Sequence, residues 1–216
     1  TTYLNGGGNL FVSGAEIGWA LDRASGPTTA DRLFYHNQLR AALNGDANDD
    51  AATYNFAPIA SGIFTGNPAA SFDNGTHGTY NVAYPDVLTP TNYSIAAINY
   101  SGGLGGVAAV VYDGAQGGGK IVNFGFPFES ITSSPVRDAY MSDVLRFFGL
   151  IGPPELLPVQ KTGNTIVLNW TASAGLKYRL QFKTDLNNPT WTEIASDITA
   201  ASTVCSSTQP TAGDQK

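Results

Sequence analysis

The segment LIGPPELLP, residues 150–158, divides the chain into two stretches that do not share one pattern of secondary structure. Pro153 and Pro154 fix two φ angles and remove two backbone donors, so neither a helix nor a central strand runs through them. Before this connector, short apolar runs alternate with segments of helical period; after it, the dominant period is two. The pattern predicts two domains, 1–152 with mixed helix and strand and 153–216 built of strands.

In the first stretch, strands are expected at Leu10–Ser13, Tyr54–Ala60, Ser94–Tyr100, Val107–Tyr112 and Lys120–Phe126. VAAVVYD and KIVNFGF are continuously apolar and bounded by Gly, the pattern of strands covered on both faces. The glycine-rich SGGLGG and DGAQGGGK read as turns beside those strands. The second lacks the Ser or Thr that a phosphate-binding loop carries after its Lys, here Lys120. One helix is expected in TTADRLFYHNQLRAAL (28–43), with Thr28 or Thr29 as N-cap and Tyr35, Leu39 and Leu43 spaced four apart. A second is expected in SSPVRDAYMSDVLRFFGL (133–150), capped by Ser134, with Pro135 at its first position. Val136, Tyr140, Val144 and Phe148 form its apolar stripe, and Gly149 ends it. Strands alternating with helices predict an α/β layered domain.

In the second stretch, Ile166, Leu168 and Trp170 share one face of NTIVLNW, and Tyr178, Leu180 and Phe182 alternate in the same way. PTWTEIA and STVCSST complete the strand set of a small β-sandwich. Thr1–Leu4 followed by NGGG reads as the last turn of a helix and its glycine cap, and the β-module stops short at TAGDQK. Both domains are therefore expected to be incomplete, their open sheet edge covered by missing parts of a parent protein or by a neighbouring chain.

Charge narrows the function. Seventeen acidic residues against eleven basic ones give a net charge of −6, which argues against nucleic acid as a partner because a run of phosphates would go unneutralised. No apolar run approaches the ~20 residues of a bilayer-spanning helix, so no membrane partner is expected. Cys205, the one cysteine, excludes an intrachain disulfide framework and a cysteine-based zinc site. Abundant Thr, Asn and Gly with little Lys suit an extracellular or cell-surface bacterial protein.

The chemistry-bearing motif is NLFVSGAEIGWAL. A strand runs into a Gly14-x-x-x-Gly18 turn and then a helix, the corner at which α/β enzymes present a nucleophile. The residue at its tip is Glu16. This stretch resembles the nucleophile elbow of class I glutamine amidotransferase-like domains, whose pattern is a strand followed by Gly-x-Cys-x-Gly. VNFGFPFES resembles their later strand ending in Phe-His-Pro-Glu-Ser. Gly14 and Gly18 match the elbow glycines, and Glu129 and Ser130 match the Glu-Ser pair. Glu16 stands in the place of the cysteine, while Pro127 and Phe128 occupy the positions around the missing histidine. The resemblance covers residues 1 to about 150 and implies a flavodoxin-like sheet. It is nearest to degenerate domains of large secreted bacterial proteins, some known as xanthan lyases. Without thiol or base, glutamine hydrolysis by the family's route is excluded. VLNWTASAGLKYRLQFKTDLNNPTWTEIA resembles fibronectin type III-like modules, which implies a spacer, an adhesion unit or a carbohydrate contact.

Several residues are candidates for a site. Glu16 and Glu129, each expected at the C-terminal end of a strand, form a pair suited to acid–base work on a glycosidic bond or to sharing a divalent cation. The structural alternative has Glu16 accepting N–H groups at the following helix start and Glu129 pairing with Arg137. His77 lies in a Gly/Asn-rich loop with Asp73 and Asp86 not far off, and His36 falls in the first helix as a surface or boundary residue. NGDANDD (44–50) is rich in calcium-type oxygen ligands but lacks the EF-hand spacing; calcium is the one cofactor considered. Trp19, Tyr80, Tyr84, Tyr93 and Tyr100 are suited to stacking on sugars, although most such rings are core residues. The long connection 73–93 is the favoured binding surface. The leading expectation is a non-catalytic accessory or scaffolding fragment of a secreted multidomain protein, associated with polysaccharide. The alternatives are a polysaccharide-active enzyme using Glu16 and Glu129, and an assembly subunit pairing through an open sheet edge.

Overall fold

The computed structural model describes residues 1–46, 54–173, 175–194 and 196–210. The chain divides into two compact units, Thr1–Leu150 and Ile151–Lys216.

The first unit opens with a helical turn, α1 (Thr2–Asn5), then β1 (Leu10–Ser13), α2 (Ile17–Asp22) and α3 (Thr29–Asn37). Thr28 and Asp31 build a reciprocal capping box at the start of α3, Asp31 N–H donating to Thr28 Oγ1 (3.2 Å) and Thr28 N–H to Asp31 Oδ2 (2.8 Å). The helical period read through Leu43 does not survive. Arg40 takes φ +60°, and the chain continues as strand β2 (Ala41–Asp46). Tyr35 and Leu39 are buried as the spacing predicts, but Leu43 pairs with a strand across the sheet.

The remaining elements are β3 (Asn55–Pro58), β4 (Ala70–Ser71), β5 (Asp86–Pro90), β6 (Ile95–Ser101), β7 (Val107–Tyr112), β8 (Ile121–Phe124) and α4 (Ser134–Phe147). Helix α4 has Ser133 at its N-cap position without a side-chain cap bond, so the Ser134 cap is replaced by a start one residue earlier, with Pro135 still in the first turn. One eight-stranded sheet runs β1-β8-β7-β6-β3-β4, with β5 joined to β7 and β2 to β5. β1 and β8 are parallel, Leu10 facing Ile121 and Ser13 facing Phe124; the other pairings among the described residues are antiparallel. The unit is mixed α/β with a mixed sheet. SGGLGG and DGAQGGGK connect antiparallel neighbours β6–β7 and β7–β8, the turns their glycines predict.

The apolar residues sort into two main clusters. In one, Phe56, Phe64, Phe72, Phe124, Phe126 and Tyr140 form a close aromatic packing, with Val144, Val136 and Met141 of α4 against it. In the other, Tyr35, Leu39, Ala41, Leu88 and Val110 meet Ile17, Leu21 and Phe34 of α2 and α3. Along β7, Ala109 and Val111 belong to the first cluster and Val110 to the second, which is why its sequence is apolar at every position.

The second unit holds a three-stranded antiparallel sheet of β9 (Gln160–Thr162), β10 (Thr165–Thr171) and β15 (Val204–Pro210), in the order β15-β10-β9. Two short ribbons accompany it: β11 (Lys177–Tyr178) with β14 (Ile198–Thr199), and β12 (Gln181–Phe182) with β13 (Thr192–Glu193). Its small core gathers Trp170, Ala200 and Cys205 with Leu168, Tyr178, Leu180 and Ile198 around them. The alternation through Tyr178 and Leu180 points inward as predicted, but Phe182 at the end of that run is exposed.

Candidate functional site

The parallel pairing of β1 with β8 brings the two sequence motifs side by side, since Ser13 is the register partner of Phe124. Phe128 N–H also donates to Ser13 Oγ (3.3 Å). After β1 the chain turns at Glu16, which adopts φ +66° and ψ +5°, a left-handed conformation uncommon for a side chain other than Gly, Asn or Asp. Glu16 makes no side-chain cap bond to α2, which corrects the structural alternative read from the sequence. The helix start is held instead by Asp86 of β5: Gly18 N–H donates to Oδ2 (2.7 Å) and Trp19 N–H to Oδ1 (3.3 Å). Gly18 is required for this approach. A Cβ there would lie 2.7 Å from Tyr35 Oη and 3.2 Å from Asp86 Cγ.

Asp86 is wholly buried. Burial, with the negative charges of Asp46 and Glu16 adding to it against the two backbone donors, pushes its carboxyl up to about 7. Asp46, which faces Asp86 directly across β2 and β5, is also raised by burial. Glu16 is exposed, and its carboxyl is raised by partial burial and then by Asp46, against a smaller opposing effect of Arg23. These three acids influence one another electrostatically. No group of three or more His, Cys, Asp or Glu among the described residues is arranged to hold a metal ion. The calcium reading of residues 44–50 falls in large part outside the described residues, which end at Asp46 on this side.

In the second motif, Gly125 brings two strands together so closely that a Cβ would lie 2.2 Å from Asp86 O. Phe126 enters the core. Phe128 is half-buried and packs edge-on against Phe11 (5.4 Å between ring centroids) and Phe124 (6.2 Å). Glu129 follows on a 3-10 turn, Phe128–Ser130. Its carboxylate accepts from Tyr80 Oη at 2.6 Å. Arg137 does not pair with that carboxylate. Its Nη1 donates to the main-chain oxygens of Glu129 (3.0 Å) and Ile131 (2.8 Å), so the guanidinium secures the turn and leaves the acid to Tyr80. Desolvation, with the Glu129 bond second, pushes the Tyr80 phenol up to about 12.

The long connection 73–93 has a definite structure. Asp73 is buried and accepts from the main-chain N–H groups of Gly75, Thr76, His77 and Thr79 and from Thr79 Oγ1. Burial opposes its charged form, but those donors outweigh it and hold the carboxyl well below the usual carboxylate range. Asp73 N–H donates to Ser130 O (2.8 Å), and Phe72 bridges to Ile131, which ties this turn to the Glu129 segment. His77 is exposed, its Nδ1 3.7 Å from Asp73 Oδ1 and 3.1 Å from Thr76 Oγ1. His36 bonds Asp22 Oδ1 at 2.8 Å. Trp19, Tyr80, Tyr84 and Tyr93 are exposed, whereas Tyr100 is core and donates to Asp86 O (2.9 Å).

The structure therefore brings Tyr80, Glu129, Arg137 and the His77 turn into one neighbourhood, and sets Glu16 with Asp46 and Asp86. β5 is missed in the sequence because YPDVLTP carries prolines at both ends and reads as loop, and Asp46 is read only as one of the oxygen ligands of NGDANDD. The one available signal was an Asp immediately followed by the apolar Val87-Leu88. Set against known proteins, the chain matches no family model, and no curated protein is significantly similar to it.

Proposed function

We propose that the chain is a non-catalytic accessory or scaffolding region of a secreted bacterial multidomain protein, contacting polysaccharide through its first unit. The observation that carries this reading is the half-buried ring of Phe128. By the resemblance to amidotransferase-like domains, Pro127 and Phe128 stand around the position of the missing base, and the ring is anchored among Phe11 and Phe124. With Glu16 at the tip of a retained elbow, the flavodoxin-like ancestry and the loss of thiol chemistry are read together. The contact surface is the Tyr80–Glu129 pair with exposed Tyr84 and His77 beside it in sequence. Aromatic faces stack on the C–H faces of sugars, and an oriented carboxylate accepts from their hydroxyl groups. The second unit acts as a fibronectin type III-like spacer.

The test is binding of the pure chain to a panel of soluble bacterial polysaccharides by titration calorimetry. Binding without turnover, weakened tenfold or more by Tyr80→Ala, supports the reading; absence of binding across the panel overturns it. A second reading, a polysaccharide-active enzyme, draws on Glu16, held at the tip of the strand–turn–helix corner in a left-handed backbone conformation. Release of reducing ends that disappears in Glu16→Gln would establish it in place of the first.

A further inference from the structure

Asp86 and Asp46 face each other across the β2–β5 pair. Directly opposed residues of an antiparallel pair have Cβ atoms roughly 4.5–5.5 Å apart, and like charges there repel. Asp86 is wholly buried, and Oδ1 of Asp46 is sealed from solvent without a hydrogen-bond partner. Asp86 is also the group that fastens the first N–H groups of α2 to the sheet, 68 residues away in sequence. We propose that this pair of aspartates holds one proton and acts as a pH-operated latch on α2. While the proton is present, Ile17–Asp22 stays docked; when it leaves, the buried Asp86 carboxylate facing Asp46 is relieved by admitting water, and the segment lifts off the sheet. The latch is independent of what binds near the elbow.

The groups facing Asp86 explain the direction. Glu16 before α2 and Asp46 on β2 are acids, and the phenols of Tyr35 on α3 and Tyr100 on β6 are neutral at ordinary pH. Among the described residues, no cation is among the groups acting on Asp86; Arg23 acts on Glu16. Asp86 therefore favours its protonated form in the docked state and its ionised form in the open, hydrated state, with a docked-state midpoint of about 7. At the far end of α2, Asp22 is bound by His36 (2.8 Å) and by Leu43 N–H (2.8 Å), and it lies 3.9 Å from Arg32 Nη1.

Hydrogen exchange of the Gly18 and Trp19 amides reads the latch. Base catalysis alone raises exchange about tenfold per pH unit. Opening linked to loss of one proton adds about another tenfold, so the rate rises about 100-fold per unit between about pH 5 and 7 and returns to tenfold above. Val110 in the core is the control: it opens only by global unfolding, so it shares the linked slope but exchanges more slowly than Gly18 and Trp19. Asp86→Asn, whose amide oxygen still accepts from Gly18, gives the tenfold slope throughout; Asp46→Asn, for use should the first variant fail to fold, moves the steep region to lower pH. His36→Gln keeps the steep slope. A tenfold slope at Gly18 and Trp19 in the wild type overturns the proposal. So does an opening free energy at Gly18 and Trp19 equal to that at Val110, which would mean global unfolding, or a steep slope abolished by His36→Gln.

Discussion

Tyr80 and Glu129 lie 49 positions apart in sequence and are joined by a 2.6 Å hydrogen bond from phenol to carboxylate, both side chains at the surface. Tyr80→Phe keeps the ring and removes the bond. Because both partners are exposed, the stability loss is expected below about 1 kcal/mol. A polysaccharide contact that needs an oriented carboxylate weakens several-fold. Urea unfolding and binding titration on the same variant separate the two effects.

Asp73 and Asp86 give opposite pH signatures. The folded-state pKa of Asp73 is depressed, so its contribution is present above the unfolded value of about 3.9 and is lost as pH falls below it. That of Asp86 is raised, so its contribution is present below about 3.9 and is lost as pH rises to about 7, by an amount of order 4 kcal/mol. Thermal melts carried from well below about pH 3.9 up to about pH 8 are expected to show Asp86→Asn flattening the neutral side of the profile and Asp73→Asn flattening the acid side.

Gly125→Ala sets a Cβ 2.2 Å from the Asp86 carbonyl oxygen, a main-chain atom with little room to retreat. The expected loss is about 3 kcal/mol or more. Ala at Gly152, where an added Cβ would meet nothing within 4 Å, is the matched control. Chemical denaturation of the two variants tests the difference.

Phe128→Ala removes a half-buried ring from its contacts with Phe11 and Phe124 and is expected to destabilise the first unit by about 1–3 kcal/mol. Placing Cys at Glu16 and His at Phe128 together supplies the thiol and the imidazole that the resemblance to amidotransferase-like domains lacks here, without an arrangement that joins them. The double variant is expected to show no glutaminase activity, measured as ammonia release.

The sequence pattern predicts β1 and β7 to the residue, because Leu10–Ser13 and Val107–Tyr112 are apolar runs whose ends are marked by Gly, Asn or Asp. It carries α3 too far, since Tyr35, Leu39 and Leu43 keep a helical period that Arg40 interrupts with a backbone turn carrying no Gly or Pro as a marker. The adjacency of the two motifs was legible in their order, whereas their contents were partly misassigned. Glu129 was matched to Arg137 by charge, but the guanidinium serves main-chain oxygens and a phenol from a distant turn takes the carboxylate. Asp86 escaped as a helix anchor because the helix it holds lies 68 residues earlier, a separation to which local patterning is blind.

Strand β7, with Ala109 and Val111 on one side and Val110 on the other, is a partition wall shared by two apolar compartments. Truncations within one compartment, such as Phe56→Ala with Phe72→Ala, are then expected to be strongly non-additive, while Phe72→Ala and Leu39→Ala, from opposite sides, sum independently. The wall itself is the exception. A side chain lost from β7 is felt on both sides, so the strand sets how far damage on one face of the sheet is communicated to the other.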